Sequence, residues 1–376
     1  MKIKINGKYI KFFNEVSIIR SLDTIASVFS FVGRYNPDNE LHKEVFRPLS
    51  FPKVDIYDND DKLLLSGKIV NHSFNSQSKP GLWELSGYSF TGVLEDSNIP
   101  VGLYPLESNN RNIKDITERI IKPFGLELVI HPSVKKDVYI NFEKTIADPS
   151  ESIKNYISKL ASQRNIVTSH DEKGRLVFFR PEINGIARYR FNKENTLEMN
   201  LSVRGQGLHS SITILRQPSD EVKERSFFET LLNGVYETAE STLDLLGIEK
   251  EKVEETKKPG YLITNNKSSA VTNYSPSVKV LTSGTDTPYD VQQAVKNALA
   301  SELKNIQFLL ILNKIQTIRP GDIVEVKNPD IFLFEYTRLM VNEVSTKEKT
   351  TGEEMSLNLV IPEAFTGNQP KELFKK

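Results

Sequence analysis

The chain has no cysteine, only one tryptophan and only five histidines among its 376 residues. Without thiols there is no disulfide framework, no thiolate metal site and no cysteine nucleophile. Net charge of either sign is lacking as well, since 49 Lys and Arg balance 49 Asp and Glu. A protein that grips phosphates carries a basic excess, so nucleic-acid binding by bulk electrostatics is disfavoured. Long apolar runs are missing too. The longest, Phe308 to Leu312, falls far short of the ~18 residues a membrane span needs, so no stable membrane insertion is expected. The opening MKIKINGKYIKFF alternates Lys with Ile, which breaks any signal-peptide core and reads as a half-exposed first strand.

Chemistry-bearing motifs are equally scarce. His42, His72, His131, His170 and His209 contain no pair at the spacing of metal ligands. The acidic turn Asp58 to Asp61 fails as a calcium loop, because Leu63 and Ile69 stand where Gly and the bidentate Glu are required. Gly205-Gln206-Gly207 and the pair Gly81 and Gly87 complete no phosphate-loop pattern and read as strand-end and bulge glycines. There is no G-x-S-x-G elbow. Hence no catalytic, cofactor-binding or metal residue is nominated and no cofactor is expected. An enzyme would need two carboxylates brought together by folding. Trp83, on an alternating strand, is expected in the core. Lys2, Lys4, Lys8 and Lys11 read as guards on an edge strand.

The patterns that are present divide the chain. Single cores stop growing near ~250–300 residues, so several domains are expected. Residues 1–103 read as β-rich, with a hairpin from Val54 to Val70 through the Asp58–Asp61 turn, a strand from Leu82 to Tyr88, and a short helix expected over Ser21 to Phe29. Residues 104–198 change to a period of three and four. One helix is expected after the cap Asn112, carrying Ile113, Ile116, Ile120 and Ile121, and another is expected to open at Asp148-Pro149-Ser150-Glu151. A hairpin through Asp171 to Gly174 completes this α+β module. Residues 199–365 return to strands, at Leu201 to Gly207, His209 to Leu215, Ile323 to Val326, Phe332 to Tyr336, Leu339 to Val341 and Met355 to Val360. They are interrupted by an insertion around 220–285, with an amphipathic helix over 220–255, and by a helix from Tyr289 to Lys304; residues 366–376 form a tail. One internal echo crosses these divisions: VDIYDNDDKLLLSGKIVN (54–71) aligns with VEVKNPDIFLFEYTRLMVN (324–342) with one gap. Any two hairpins look alike; if the echo is real, the first and last thirds are copies of one β-barrel module.

The order of these signals, from Phe51 to Asp96 with its LSGYSF segment, through the helix before Pro123-Phe124-Gly125, the D-P-S-E-S-I segment, the D-E-K-G hairpin and F-F-R-P, to the closing RPGDIVEV and LNLVIPEAF, resembles phage tail baseplate hub proteins. The likeness is strongest to the hub of Mu-like contractile phages, related in fold to the T4 hub and to the N-terminal part of type VI secretion spike proteins. The resemblance implies a mixed α+β fold with two similar β-barrel domains separated by a small α/β module, and a helical insertion in the second barrel. It also implies a structural virion protein and not an enzyme. That protein would be a homotrimer whose pseudo-hexameric ring adapts the six-fold tail tube to the three-fold central spike. Implied partners are the tube and spike proteins, with baseplate wedge and tape-measure proteins as further ones; DNA would pass without specific binding. The implied location is the virion tail baseplate, assembled in the bacterial host cytoplasm. A tail-tip peptidoglycan- or glycan-degrading enzyme, a carbohydrate-binding or distal-tail adhesion module resting on Trp83 and the Tyr-rich strands, and a tailocin or secretion-system hub remain as alternatives. The partner-binding residues are not identified by the sequence.

Overall fold

The computed structural model describes residues 1–10, 13–77, 82–216, 263–267, 278–283, 288–370 and 374. The fold is mixed and dominated by antiparallel sheet. Its first part holds β1 (Lys2–Ile5), β2 (Lys8–Ile10), β3 (Phe13–Ser21), β4 (Val28–Arg34), the short helix α1 (Glu40–Val45), β5 (Lys53–Tyr57), β6 (Leu63–Asn75) and β7 (Leu82–Ser89). Alternation drives these strands: in β1, Ile3 and Ile5 are buried while Lys2 and Lys4, which alternate with them, are half-exposed, as a pleat with one covered face requires. The predicted hairpin is β5 with β6, and the Leu82 strand is β7.

The helix expected over Ser21 to Phe29 does not form. Ser21 ends β3 and Phe29 lies in β4, paired with Ile18. Between them a loop sends Ile25 away from the strands into the core of the helical module, so a long-range burial site overrides the local period.

That module contains α2 (Val93–Asp96), β8 (Glu107–Asn112), α3 (Ile113–Ile121), β9 (Leu128–Ile130), β10 (Asn141–Ile146), α4 (Ile153–Ser162), β11 (Val167–His170) and β12 (Leu176–Phe179). α3 follows the sequence: the Asn112 side chain accepts from the Asp115 backbone N–H, Ile113, Ile116, Ile120 and Ile121 are buried, and Gly125 turns out of the following 3-10 turn at φ +67°. α4 starts later than expected. Glu151 accepts from the Asp148 N–H and Asp148 from Ser150, so the acidic motif closes a turn on itself, and Ser152 is the cap that accepts from Asn155. β11 and β12 form the expected hairpin, but β12 also pairs in parallel with β9, a crossover that local pattern did not signal.

The last part comprises β13 (Tyr189–Phe191), β14 (Glu198–Val203), β15 (Ser211–Arg216), β16 (Ile263–Lys267), β17 (Val278–Ser283), α5 (Pro288–Leu303), β18 (Ile306–Leu312), β19 (Ile323–Asn328), β20 (Leu333–Lys349) and β21 (Gly352–Val360). The strands expected at Phe332–Tyr336 and Leu339–Val341 are one continuous β20. Two segments of the insertion form β16 and β17, flanking β15. The helix expected over 220–255 lies outside the described residues.

Thirteen described strands share one sheet, and within it the same path occurs twice. The first array runs β3-β4-β7-β6-β5-β1 and the second β14-β18-β21-β20-β19-β13. The members follow each other in the same chain order in both, with β2 added beside β1. The echoed hairpins, β5–β6 and β19–β20, hold the same place. Val54 and Val324 face Gly67 and Leu339, so the aligned valines are structurally equivalent. Both β6 and β20 change partner midway, from the hairpin mate to β7 or β21, across a bulge at Val70 or Asn342. The aligned Asn71 is therefore one residue out of step with Asn342. The arrays differ at one edge, where β1 meets β5 antiparallel and β13 meets β19 parallel. Among the described strands neither array closes into a barrel. Among the described residues three hydrophobic cores lie along the chain, one around Phe31 and Trp83, one around Ile116 and Tyr156, and one around Phe308 and Leu357.

Candidate assembly surfaces

The two arrays meet edge to edge. β3 pairs antiparallel with the second half of β20, from Ser21 opposite Glu343 to Glu15 opposite Lys349. Side chains reinforce this joint: Lys347 Nζ lies 2.8 Å from Glu15 Oε1, and Ser21 Oγ donates to Glu343 Oε2 at 2.8 Å. Beneath it Arg20 is buried and donates to the Ile318 carbonyl at 3.4 Å. Burial first, then the neighbouring Arg319, lowers its guanidinium to about 10, so it stays charged at neutral pH and faces Glu172, Asp58 and Asp322.

Two of the open strand edges, one in each array, correspond to the edges joined at β3 and β20. Among the described residues, the distal half of β6 from Asn71 to Asn75 pairs with β7 alone, and β14 pairs with β18 alone. Each edge exposes an apolar side chain, Phe74 (40% exposed) and Val203 (47%). Such edges present unpaired N–H and C=O groups and are templates for another strand.

The hairpin tips of the arrays differ in chemistry. The first is acidic and tied to the N-terminus: Asp58 Oδ1 accepts from the Lys62 N–H at 2.8 Å, Asn59 accepts from the Met1 ammonium at 2.9 Å, and Asp61 pairs with Lys2 at 2.8 Å. It is a hairpin turn, as the sequence indicated. The second tip is aromatic, with Phe332 (60% exposed), Phe334 and Tyr336 outward and Arg190 and Lys327 over the Tyr336 ring. A cleft of about 800 Å³ separates the first array from the helical module, lined by Phe51, Tyr88, Phe90, Phe124 and Lys173 among others. Tyr88 donates to Asp96 Oδ2 at 2.8 Å, and burial followed by that bond pushes its phenol up to about 12.

The residues weighed for chemistry are dispersed. His42 stacks on Tyr35 and meets Phe46 edge-on, His72 sits on β6, His131 accepts from the Ser133 N–H, and His209 meets the buried Glu302, which also pairs with Lys279. Among the described residues no group of three or more His, Asp or Glu side chains is placed to hold a metal. Trp83 is buried against Phe13 and Phe46. Gly205–Gly207 forms a 3-10 turn after β14, and Gly87 lies within β7. Of the lysines read as edge guards, only Lys8 is on an outer strand, β2, where it pairs with Glu44. Lys2 and Lys4 lie on β1, which has a neighbour on each side, and Lys11 lies outside the described residues.

His170 is the histidine most enclosed. Its Nε2 lies 2.8 Å from Ser27 Oγ and its Nδ1 3.2 Å from the Thr24 carbonyl. Burial holds its imidazole below the usual range, opposed in smaller measure by the Thr24 carbonyl and by Asp171 and Glu172, while Arg20 adds to the lowering. The folded form therefore keeps His170 neutral while the unfolded chain takes up a proton near pH ~6.5. Its contribution to stability is complete above that pH and is lost as pH falls from there toward the lowered folded value. Urea midpoints at about pH 7.5 and about pH 5 are expected to fall further for the natural chain than for His170→Gln.

Comparison with known proteins places this geometry. Residues 91–180 match the family model for the second domain of gp44-like baseplate hub proteins. No curated protein matches the chain in sequence. The 43 kDa tail protein of prophage MuSo2 from Shewanella oneidensis is 15% identical and superposes with a TM-score of 0.71 over 96% of this chain and 98% of its own. A tail protein from Neisseria meningitidis, also 15% identical, gives 0.70 over the same shares. The Escherichia coli c3393 protein is described as a component of the type VI secretion system with structural similarity to T4 tail proteins gp27 and gp5. It is 10% identical and gives 0.56 over 99% of this chain and 80% of its own. Residues 91–180 are thus similar to the second domain of gp44-like baseplate hub proteins, and the whole chain has a fold similar to that of the MuSo2 and Neisseria tail proteins and of the c3393 protein.

Proposed function

We propose that the protein is the structural hub of a tail baseplate: a homotrimer that joins the six-fold tail tube to the three-fold central spike and forms part of the DNA channel. The observation that carries this reading is the duplicated strand path joined edge to edge through β3 and β20. Two like modules per chain, repeated by a three-fold axis, give a ring of six. A surface with quasi-six-fold spacing then meets the tube while the chain count stays three for the spike. In this reading each array is one barrel module of the ring. The modules are taken as residues 1–90 and 189–365, in place of the expected 1–103 and 199–365, with the helical module between them; β13 enters the second through its pairing with β19. We set the first boundary of the proposed modules near residue 90, since Leu94 and Ile99 pack in the core of the helical module.

The role needs no catalysis. Balanced charge suits a passive conduit, since each phosphate gripped would steepen the salt dependence of release by ~0.9 and hold the cargo. The aromatic tip at Phe332 and the acidic tip at Asp58 are the surfaces offered to tube, spike, wedge or tape-measure proteins. Assembly in the host cytoplasm and residence in the virion tail follow from the reading. The fold shared with the c3393 protein favours a second version of the same role, a hub in a tailocin or secretion machine through which no DNA passes.

Light scattering on the purified protein tests the proposal. The expected mass is three times the 42.7 kDa of the chain, and particle averages in electron microscopy should show a ring of six similar lobes. A strictly monomeric species at high concentration would overturn it.

A further inference from the structure

We propose that the open edge of β14 in one copy pairs antiparallel with the open distal edge of β6 in the next copy, reproducing between chains the β3–β20 joint made within each chain. This rests on the ring reading above and adds to it the edges, their direction and their register.

The duplication supplies the argument. β14 stands in the second array where β3 stands in the first, and β6 stands in the first where β20 stands in the second. Within the chain, β3 and the second half of β20 cover each other. Their equivalents, β14 and the distal half of β6, have no partner on the corresponding side among the described residues. The pair of edges needed to repeat the joint is therefore present among the described strands, one at each end of the chain's two-module unit. A head-to-tail contact of this kind closes into a ring when the rotation between modules matches the number of modules.

The ladders fix the register. Tyr88 and Val360 are equivalent, facing Lys68 and Met340 just before the bulges, and they face Val28 and Gln307 on their other side. Val28 and Gln307 in turn face Ile19 and Ser202, so Ser202 is the counterpart of Ile19. Asn71 and Glu343 both follow their bulges, opposite Ser86 and Asn358, so Ser73 is the counterpart of Ser345. Ile19 opposes Ser345 within the chain. Between copies Ser202 then opposes Ser73, with Val203 opposite His72 and Leu201 opposite Phe74. The chemistry of the edges agrees. Residues 71–75 contain no charged side chain and no proline, 198–203 contain one charge at its far end and no proline, and neither edge carries the lysine guard found on β2. The joint would also cover Phe74 and Val203, which are exposed in the single chain.

The natural chain has no cysteine, so introduced thiols report alone. Ser73→Cys in one tagged copy and Ser202→Cys in another, co-expressed and mildly oxidised, should give a disulfide between the two tags. The double variant S73C/S202C should give a ladder on a non-reducing gel that ends at three chains. Circular dichroism checks that each variant folds. S73C with N200C, on the same face but two residues out of register, should cross-link about tenfold less, because opposed strand positions meet disulfide geometry and displaced ones do not. Equal yields from both pairs would overturn the register. A trimer by light scattering with no 73–202 link would overturn the edge pairing and leave the ring standing. A monomer at all concentrations would overturn both.

Discussion

Replacing Trp83 by alanine is expected to lower the free energy of unfolding by about 3–5 kcal/mol, the range for removing a large aromatic from a packed core. Trp83 is 2% exposed and sits at the centre of the first core, with the Phe46 ring 4.5 Å away and tilted and the Phe13 ring edge-on at 5.8 Å. The backbone opposite is cut to fit it. A Cβ on Gly33, its partner across β4 and β7, would lie 2.4 Å from the indole Cζ2. Two neighbouring strands thus meet the ring directly, and alanine would leave a void that β4 cannot close without leaving its ladder. Urea unfolding followed by far-ultraviolet circular dichroism measures the loss, since the only tryptophan is the residue removed. Trp83→Phe, which keeps the aromatic contacts, should lose less than half as much.

Gly87→Ala is expected to cost about 3 kcal/mol or more, at the upper end of overpacking effects, because backbone stands in the way. A Cβ there would lie 1.9 Å from the Lys68 carbonyl oxygen and 2.8 Å from Phe29 Cζ. Gly67 is constrained from the other strand, its Cβ position 2.1 Å from the Tyr88 carbonyl oxygen. β6 and β7 therefore approach unusually closely beside the bulge at Val70, and a side chain at either glycine would push apart the ladder that carries the strand's change of partner. The equivalent of Gly87 in the second array is Leu359, fully buried, so the close approach belongs to this array and not to the shared topology. Gly102→Ala, with open space around its Cβ position, is the control and should change stability by less than about 0.5 kcal/mol. Thermal and urea unfolding of the two variants side by side separate a local clash from a general effect of replacing glycine.

What the sequence revealed was what its local periods encode. The β5–β6 hairpin, α3 with its Asn112 cap, the buried face of α4 and most of α5 were legible because each is set by residues within a dozen positions. The echo was legible only at the hairpins, where valine, an acidic residue and an aliphatic recur together. Elsewhere the copies have kept their partners and lost their residues. Val28 and Gln307 hold one position, and Ile19 and Ser202 another. The helix expected at Ser21 to Phe29 failed because Ile25 is claimed by a core whose other members begin at Leu94, far along the sequence. The open edges of β6 and β14 could not be found from sequence at all. They are defined by the strands that are not beside them, which only the completed sheet reveals.

The joint of β3 with β20 also sets an order of events in time. Ser21 and Glu343 are 322 residues apart, so β3 leaves the ribosome long before its partner exists. At ~5–20 residues per second its outer edge waits roughly 15–65 s for β20 to be made. During that interval the first array is stable only through its own strands, and the chain reaches its final shape through one of its most distant pairings, a slow step by loop-closure entropy. Neighbouring ribosomes on one message hold other copies at the same stage, each with a completed β3 and no β20. The edge that finishes the monomer is therefore the one most open to exchange, and a swapped dimer, with β3 of one chain on β20 of another, would satisfy every hydrogen bond of the native joint.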